Sequence, residues 1–128
     1  NELLKPTKIY SKEILKLTKK NLIISAAHIT GGGLVENLMR SVPKNLTLNL
    51  NLDKIKIKKI FKWIKSKNIS DQEMLRTFNC GVGFCLVIDQ RNLSKINKYF
   101  SKNFKPYVIG KILKQQKKIK LNGKINWF

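Results

Sequence analysis

Carboxylates are the scarcest charged groups in this chain. Seven Asp and Glu stand against 27 Lys and Arg in 128 residues, a formal charge of +20 with the single His neutral. The acids that remain, such as Glu36, Glu73 and Asp89, are too dispersed to form a magnesium cluster, so no metal site is expected. Cysteine is confined to Cys80 and Cys85, with no companion His or Cys to complete a zinc site. Reduced thiols are the consequence. No apolar run reaches the roughly 18 residues that a spanning helix needs, and no charged, apolar, small-residue succession opens the chain as a signal peptide would. A cytoplasmic location without membrane contact is expected. Repeats and low-complexity linkers are absent too.

What is present is enough for a folded domain. Aliphatic and aromatic residues make up 42% of the chain, which argues against disorder despite the charge. At this length roughly two thirds of the chain's surface is buried on folding. The charge would attract any polyanion, and a non-catalytic basic module holding RNA is one reading of it. The composition offers another cause: 24 Lys but only 3 Arg, with 16 Ile and 13 Asn, is what AT-rich codons supply. Lys lacks the planar fork with which Arg reads phosphate and guanine edges, so no specific nucleic-acid partner is expected.

Periodicity sets out the elements. Residues 3–10 contain Pro6 and should be extended. Ser11 is a candidate N-cap for a helix that turns Ile14, Leu15 and Leu17 inward. The apolar run Leu22 to Ala27 suits a buried strand, and a helical pattern runs from Leu34 to about Ser41 before Pro43. Leu46, Leu48, Leu50 and Leu52 alternate with polar residues as a half-buried strand does. From Ile57 the period becomes helical through Ile60, Phe61 and Ile64. A short helix at 71–76, a strand at 84–88, a helix capped by Asn92 or Ser94 and a strand from Pro106 to Leu113 come next. Asn122-Gly123 between Ile119, Leu121 and Ile125, Trp127 predicts a closing hairpin. The class is α+β, a mixed β-sheet packed with helices as an α/β sandwich.

Two glycine loops carry the chemical signal. His28-Ile29-Thr30-Gly31-Gly32-Gly33 lies between a strand and a helix, where glycines admit a ligand to the backbone and the first helical N–H groups lack intrahelical partners. Such a turn suits phosphate. It is neither a Walker loop nor a dinucleotide fingerprint, and a tight packing turn would look the same. His28, the only His, is a candidate ligand contact or a hydrogen-bonded structural residue. Asn37 and Glu36, one turn into the helix, face either the same pocket or solvent. The second loop, Thr77 to Gly83, offers Thr77 and Asn79 as neutral hydrogen-bonding groups. Cys80 reads as a small buried residue rather than a nucleophile, having no activating partner in sequence.

In order along the chain, Leu4-Lys5-Pro6-Thr7-Lys8-Ile9-Tyr10, Ala27-His28-Ile29-Thr30-Gly31-Gly32-Gly33-Leu34-Val35-Glu36-Asn37, Arg76-Thr77-Phe78-Asn79-Cys80-Gly81-Val82-Gly83 and Val108-Ile109-Gly110 resemble the C-terminal half of the phosphoribosylformylglycinamidine cyclo-ligases. These are the aminoimidazole ribonucleotide synthetases of purine biosynthesis. The resemblance spans nearly the whole chain and departs from the family at Leu38-Met39, usually Ile-Pro, and at Lys8, commonly Arg. It implies ring closure of formylglycinamidine ribonucleotide: ATP phosphorylates the formyl amide oxygen, the amidine nitrogen attacks, and phosphate leaves. By resemblance, substrate or phosphate binding falls to His28, Thr30, Gly31, Gly32 and Gly33, with Asn37, Thr77 and Asn79 beside them. The catalytic residues stay unassigned.

The chain opens on Asn rather than Met. By resemblance, residues 1–128 are then one domain, the C-terminal half of a two-domain enzyme whose N-terminal half holds most of the ATP and Mg and makes the homodimer. Alone, this half is expected to be inactive. A related enzyme of the same superfamily acting on another phosphorylated substrate, as in selenophosphate or thiamine phosphate chemistry, is the alternative within that architecture.

Overall fold

The computed structural model describes residue 4, residues 6–115 and residues 118–128, with Asn103 through its backbone alone. Helix α1 (Ser11–Lys19) comes after residues 6–10, which belong to no helix or strand, and Tyr10, at the end of that segment, is helical in backbone rather than extended. Its N-cap is Tyr10, one residue before the expected Ser11, and no side chain caps it. Glu13 in the first turn and Lys16 and Lys19 in the last instead match the helix dipole. Only Leu17 is buried on α1; Leu15, expected inward, is exposed, because the helix packs along one narrow line on the turn at Asn97–Tyr99.

Strand β1 (Ser25–His28) begins later than its apolar run and continues to His28, leaving Ile24 exposed. It pairs antiparallel with β3 (Phe84–Val87), placing Ser25 opposite Val87 and His28 opposite Phe84. Helix α2 (Gly33–Arg40) leaves directly from this ribbon and packs on α4 (Asp71–Thr77). Ser70 caps α4, its hydroxyl accepting from the Glu73 N–H at 3.1 Å. Between them in sequence comes α3 (Lys59–Lys65), whose apolar face of Ile60, Phe61 and Ile64 is only half-buried.

The mixed sheet is separate and has β2 (Thr47–Asn51) at its centre. Strand β4 (Gly110–Leu113) runs antiparallel to it on one side and β5 (Ile119–Asn122) parallel on the other. Leu48 and Leu50 are buried as the alternation expects, and so is Leu52 in the turn just after the strand, but Thr47, expected outward, is fully buried too and Leu46 is only half-buried. Short α5 (Leu93–Ile96) buries Ile96. Asn92, one of the two expected caps, stands at its N-cap without a side-chain capping bond, while Asp89 caps the preceding turn at 90–92, accepting from the Arg91 N–H at 2.9 Å.

The closing hairpin does not form. Gly123 does turn the chain at φ +71°, but Asn122 does not take the positive φ that a type I′ turn also needs, and the segment after it does not pair back on β5. The Asn122 amide instead donates to Asn49 and Leu50 of β2, and the Lys124 N–H donates to Asp53 at 3.0 Å. These bonds free Ile125 and Trp127 to enter the core, where they join Leu34, Leu38, Leu50, Met74 and Val82. Burying two such side chains outweighs the few ladder bonds of an isolated hairpin. The Trp127 indole donates to Asp71 at 3.0 Å and the Lys65 ammonium lies 2.6 Å from the same carboxylate oxygen. The Lys65 bond leads the interactions that hold the Asp71 carboxyl below the usual range.

Candidate active site

The two glycine loops, far apart in sequence, meet because β1 pairs with β3. At one end the Ile29 N–H donates to the Gly83 carbonyl at 3.0 Å. At the other, Gly33 is pressed on the last turn of α4: a Cβ there would overlap the Leu75 carbonyl oxygen and lie 2.6 Å from that of Arg76. The loops therefore run side by side, tied at both ends.

Within the first loop the three glycines do different work. Gly31 is exposed, with nothing within 4 Å of a Cβ built on it, so a ligand can reach its backbone. Gly32 takes φ +90° as the N-cap of α2 and lies beside the Glu36 carboxylate. Gly33, at φ +64°, is needed for packing. Asn37, one turn into α2, is buried, and its side chain leans back toward the N-terminus as helical side chains do. Its amide donates to the carbonyls of Gly33 at 2.7 Å, Gly31 at 3.1 Å and Thr30 at 3.4 Å, and its oxygen accepts from Arg40 at 2.8 Å. In a planar trans peptide the N–H points opposite the C=O. Turning the Thr30 and Gly31 carbonyls onto Asn37 thus aims the N–H groups of Gly31 and Gly32 away from it.

His28 and Thr30 are exposed at the head of the loop. The Thr77 hydroxyl, also exposed, donates to Glu73 at 2.5 Å. Asn79 is half-buried, its side-chain oxygen accepting from the Gly81 N–H at 2.9 Å and so shaping its own turn. Asn37 and Asn79, which the sequence suggests as ligand groups, both bond to loop backbone, Asn37 through its amide nitrogen and Asn79 through its amide oxygen. Glu36 lies 3.9 Å from Arg40 across one helical turn. Two residues that sequence reasoning misses stand next to His28: Phe84, stacked on it at 5.7 Å, and Tyr10, whose ring lies 5.1 Å from Phe84 and edge-on to His28 at 6.0 Å. Burial pushes the Tyr10 phenol up, with Cys85 adding to the shift. The strand register brings Phe84 to His28, and the entry into α1 brings Tyr10.

Cys80 is fully buried at φ +50°, its thiol donating to the Met74 carbonyl at 3.4 Å. Burial pushes it, and buried Cys85, up to about 12. At pH 8 their thiolate fractions fall on the order of 10³-fold below that of a free cysteine. A thiol reagent should accordingly label Cys80 and Cys85 only on unfolding, read by peptide mass mapping with and without guanidinium. Fast native labelling of Cys80 would contradict this placement.

Among the described residues no three His, Cys, Asp or Glu side chains converge to hold a metal ion, and no helix is long and apolar enough to cross a membrane.

Residues 1–121 match the family described as AIR synthase related protein, C-terminal domain. The chain is 40% identical over 126 residues to the phosphoribosylformylglycinamidine cyclo-ligase of Lactobacillus helveticus, covering 94% of this chain and 36% of that protein. It is 42% identical over 123 residues to the cyclo-ligase of Carboxydothermus hydrogenoformans, with the same two coverages of 94% and 36%. The trifunctional purine biosynthetic protein adenosine-3 of Gallus gallus is 42% identical over 116 residues, 90% of this chain and 12% of that protein. The chain spans little more than a third of the bacterial relatives and a smaller part of the trifunctional one.

Proposed function

This chain belongs to the AIR synthase related protein family as its C-terminal domain, and from that membership we propose that it is the substrate-holding half of a phosphoribosylformylglycinamidine cyclo-ligase. The whole enzyme would close the imidazole ring of formylglycinamidine ribonucleotide with ATP, in the cytoplasm. The observation that carries the reading is the Asn37-braced loop, whose inward carbonyls leave the Gly31 and Gly32 N–H groups to an anion, with open space over Gly31. The substrate phosphate is such an anion, and the start of α2 adds its dipole to the attraction.

In this reading Thr30, Gly31, Gly32 and the turn at Gly33 cradle the phosphate, and His28 reaches it from the exposed end of β1. Thr77 borders the far side. Asn37 and Asn79 act from behind, holding the two loops in shape. Fixed donors of this kind favour charge that develops during acyl activation without themselves exchanging protons. The acids nearest the loops have other partners, Glu36 with Arg40 and Glu73 with Thr77, so no general acid-base pair is assigned to this half.

Magnesium does not fit the residues described in this chain, where no suitable cluster converges, and no step is given to it here. ATP supplies the activating phosphoryl group; its site, and the contacts of a homodimer, are assigned to the remainder of the protein. Incubating the complete gene product with formylglycinamidine ribonucleotide and ATP should yield aminoimidazole ribonucleotide with one phosphate released per ring. Absence of ring closure in an otherwise folded product overturns the assignment.

A further inference from the structure

His28 has an orientation problem. It is exposed, and among the described residues no side chain or backbone group hydrogen-bonds to its ring, so nothing polar fixes its two side-chain torsions. A freely rotating imidazole would lose conformational freedom on meeting a ligand, which weakens binding.

The structure supplies a different restraint. Phe84 lies directly opposite His28 across the antiparallel ribbon, and the two rings stack at 5.7 Å with 28° between their planes. Tyr10 completes the cluster, 5.1 Å from Phe84 and 6.0 Å from His28. Two contacts hold the Tyr10 ring in that place. Tyr10 stands at the N-cap of α1, its carbonyl accepting from the Ile14 N–H at 3.1 Å, so its backbone is anchored. Beside its ring lies Gly83, where any Cβ would overlap the Tyr10 hydroxyl. Lys8 caps the arrangement from the outer side, its ammonium 5.4 Å from the Tyr10 ring and 3.3 Å from that of Phe104.

We propose that Phe84 and Tyr10 are positioning residues for His28, a two-ring shelf that sets the imidazole beside the anion loop before substrate arrives. The proposal rests on the reading that His28 contacts the substrate phosphate. It also gives Gly83 of the second loop a purpose: Gly83 makes room for the shelf, so the second loop serves the first without touching the ligand there.

The test is steady-state kinetics of the complete gene product with formylglycinamidine ribonucleotide at saturating ATP. Phe84→Leu keeps apolar volume but removes the stacking face, and should raise KM roughly fivefold while changing kcat less, the scale expected for freeing one side chain. Phe84→Tyr, which keeps a ring, should restore KM. In a His28→Ala background, Phe84→Leu should add nothing, since a positioning residue has no effect once its target is gone. Should Phe84→Leu fail to fold, judged by thermal unfolding, Tyr10→Leu carries the same three comparisons. A KM in His28→Ala equal to wild type overturns the phosphate contact and the shelf with it. A raised KM in His28→Ala with wild-type KM in folded Phe84→Leu and Tyr10→Leu overturns the shelf alone.

Discussion

Gly33→Ala should cost this domain about 2 to 5 kcal/mol of stability, a large part of the 5 to 15 kcal/mol typical of folded proteins. Two penalties add. Alanine at φ +64° enters the left-handed region, which costs about 1 to 2 kcal/mol. Its methyl would then overlap the Leu75 carbonyl and approach the Arg76 carbonyl at 2.6 Å, both of them backbone that cannot step aside as a side chain could. Forcing apart two packed helices is an overpacking defect of about 1 to 3 kcal/mol. Gly31→Ala, two residues away, meets nothing within 4 Å and takes no positive φ, so it should stay within about 0.5 kcal/mol of wild type. Urea unfolding of the two variants separates the roles: a wild-type midpoint for Gly33→Ala would mean that the α2–α4 contact is looser than the structure has it. Gly31→Ala, folded, should instead weaken substrate binding, because its methyl stands where a ligand approaches the backbone.

Asn37→Ala is the second large effect. It removes the donor to Gly33, Gly31 and Thr30 and the acceptor for Arg40 in one step. Stranding buried carbonyls costs about 1 to 3 kcal/mol, and the loop loses the restraint that turns its N–H groups outward. Stability should fall by about 2 kcal/mol and affinity for substrate by tenfold or more, roughly the 1.4 kcal/mol that a single well-made anionic hydrogen bond represents. Asn37→Asp separates the two effects. It preserves shape and the Arg40 partner but replaces the donor with a charge facing three carbonyl oxygens, so its loop should be at least as impaired as that of Asn37→Ala. Kinetics matching wild type in Asn37→Asp would show that the amide does not organise the loop.

The parts of this molecule that a residue's neighbours in sequence dictate are legible in advance. Alternation marks β2 through Leu48 and Leu50, and the glycine run marks the loop before α2. The role of Asn37 is half legible: its position four residues after Gly33 puts its side chain back over the loop, but burial decides whether it faces ligand or carbonyls. Structure that depends on pairing between distant segments is not legible. The hairpin reading of Asn122-Gly123 rests on local turn chemistry that only Gly123 follows, and it fails because β2 offers β5 a parallel edge and the core offers Trp127 a place. Leu15 and Ile24 fit apolar patterns yet stand exposed, since no described element of this chain covers them. The aromatic trio needs residues 10, 28 and 84 at once, and a one-residue slip of β1 against β3 would move Phe84 to the other face.

The central strand also sets a timetable. β2 makes its ladder only with β4 and β5, and bonds such as Thr47 to Gln115 and Asn122 to Asn49 join residues 68 and 73 positions apart. Closing a loop of that size costs about 4 kcal/mol of chain entropy before any ladder bond forms, and topologies dominated by such distant pairings fold slowly. On the ribosome β2 would emerge early and wait, with both edges bare, until Asn122 had come out after it. During that interval an alternating leucine strand is open to pairing with other chains. Its interleaved Asn49 and Asn51, and the lysines from Lys54 onward, help to keep that strand soluble until the sheet closes.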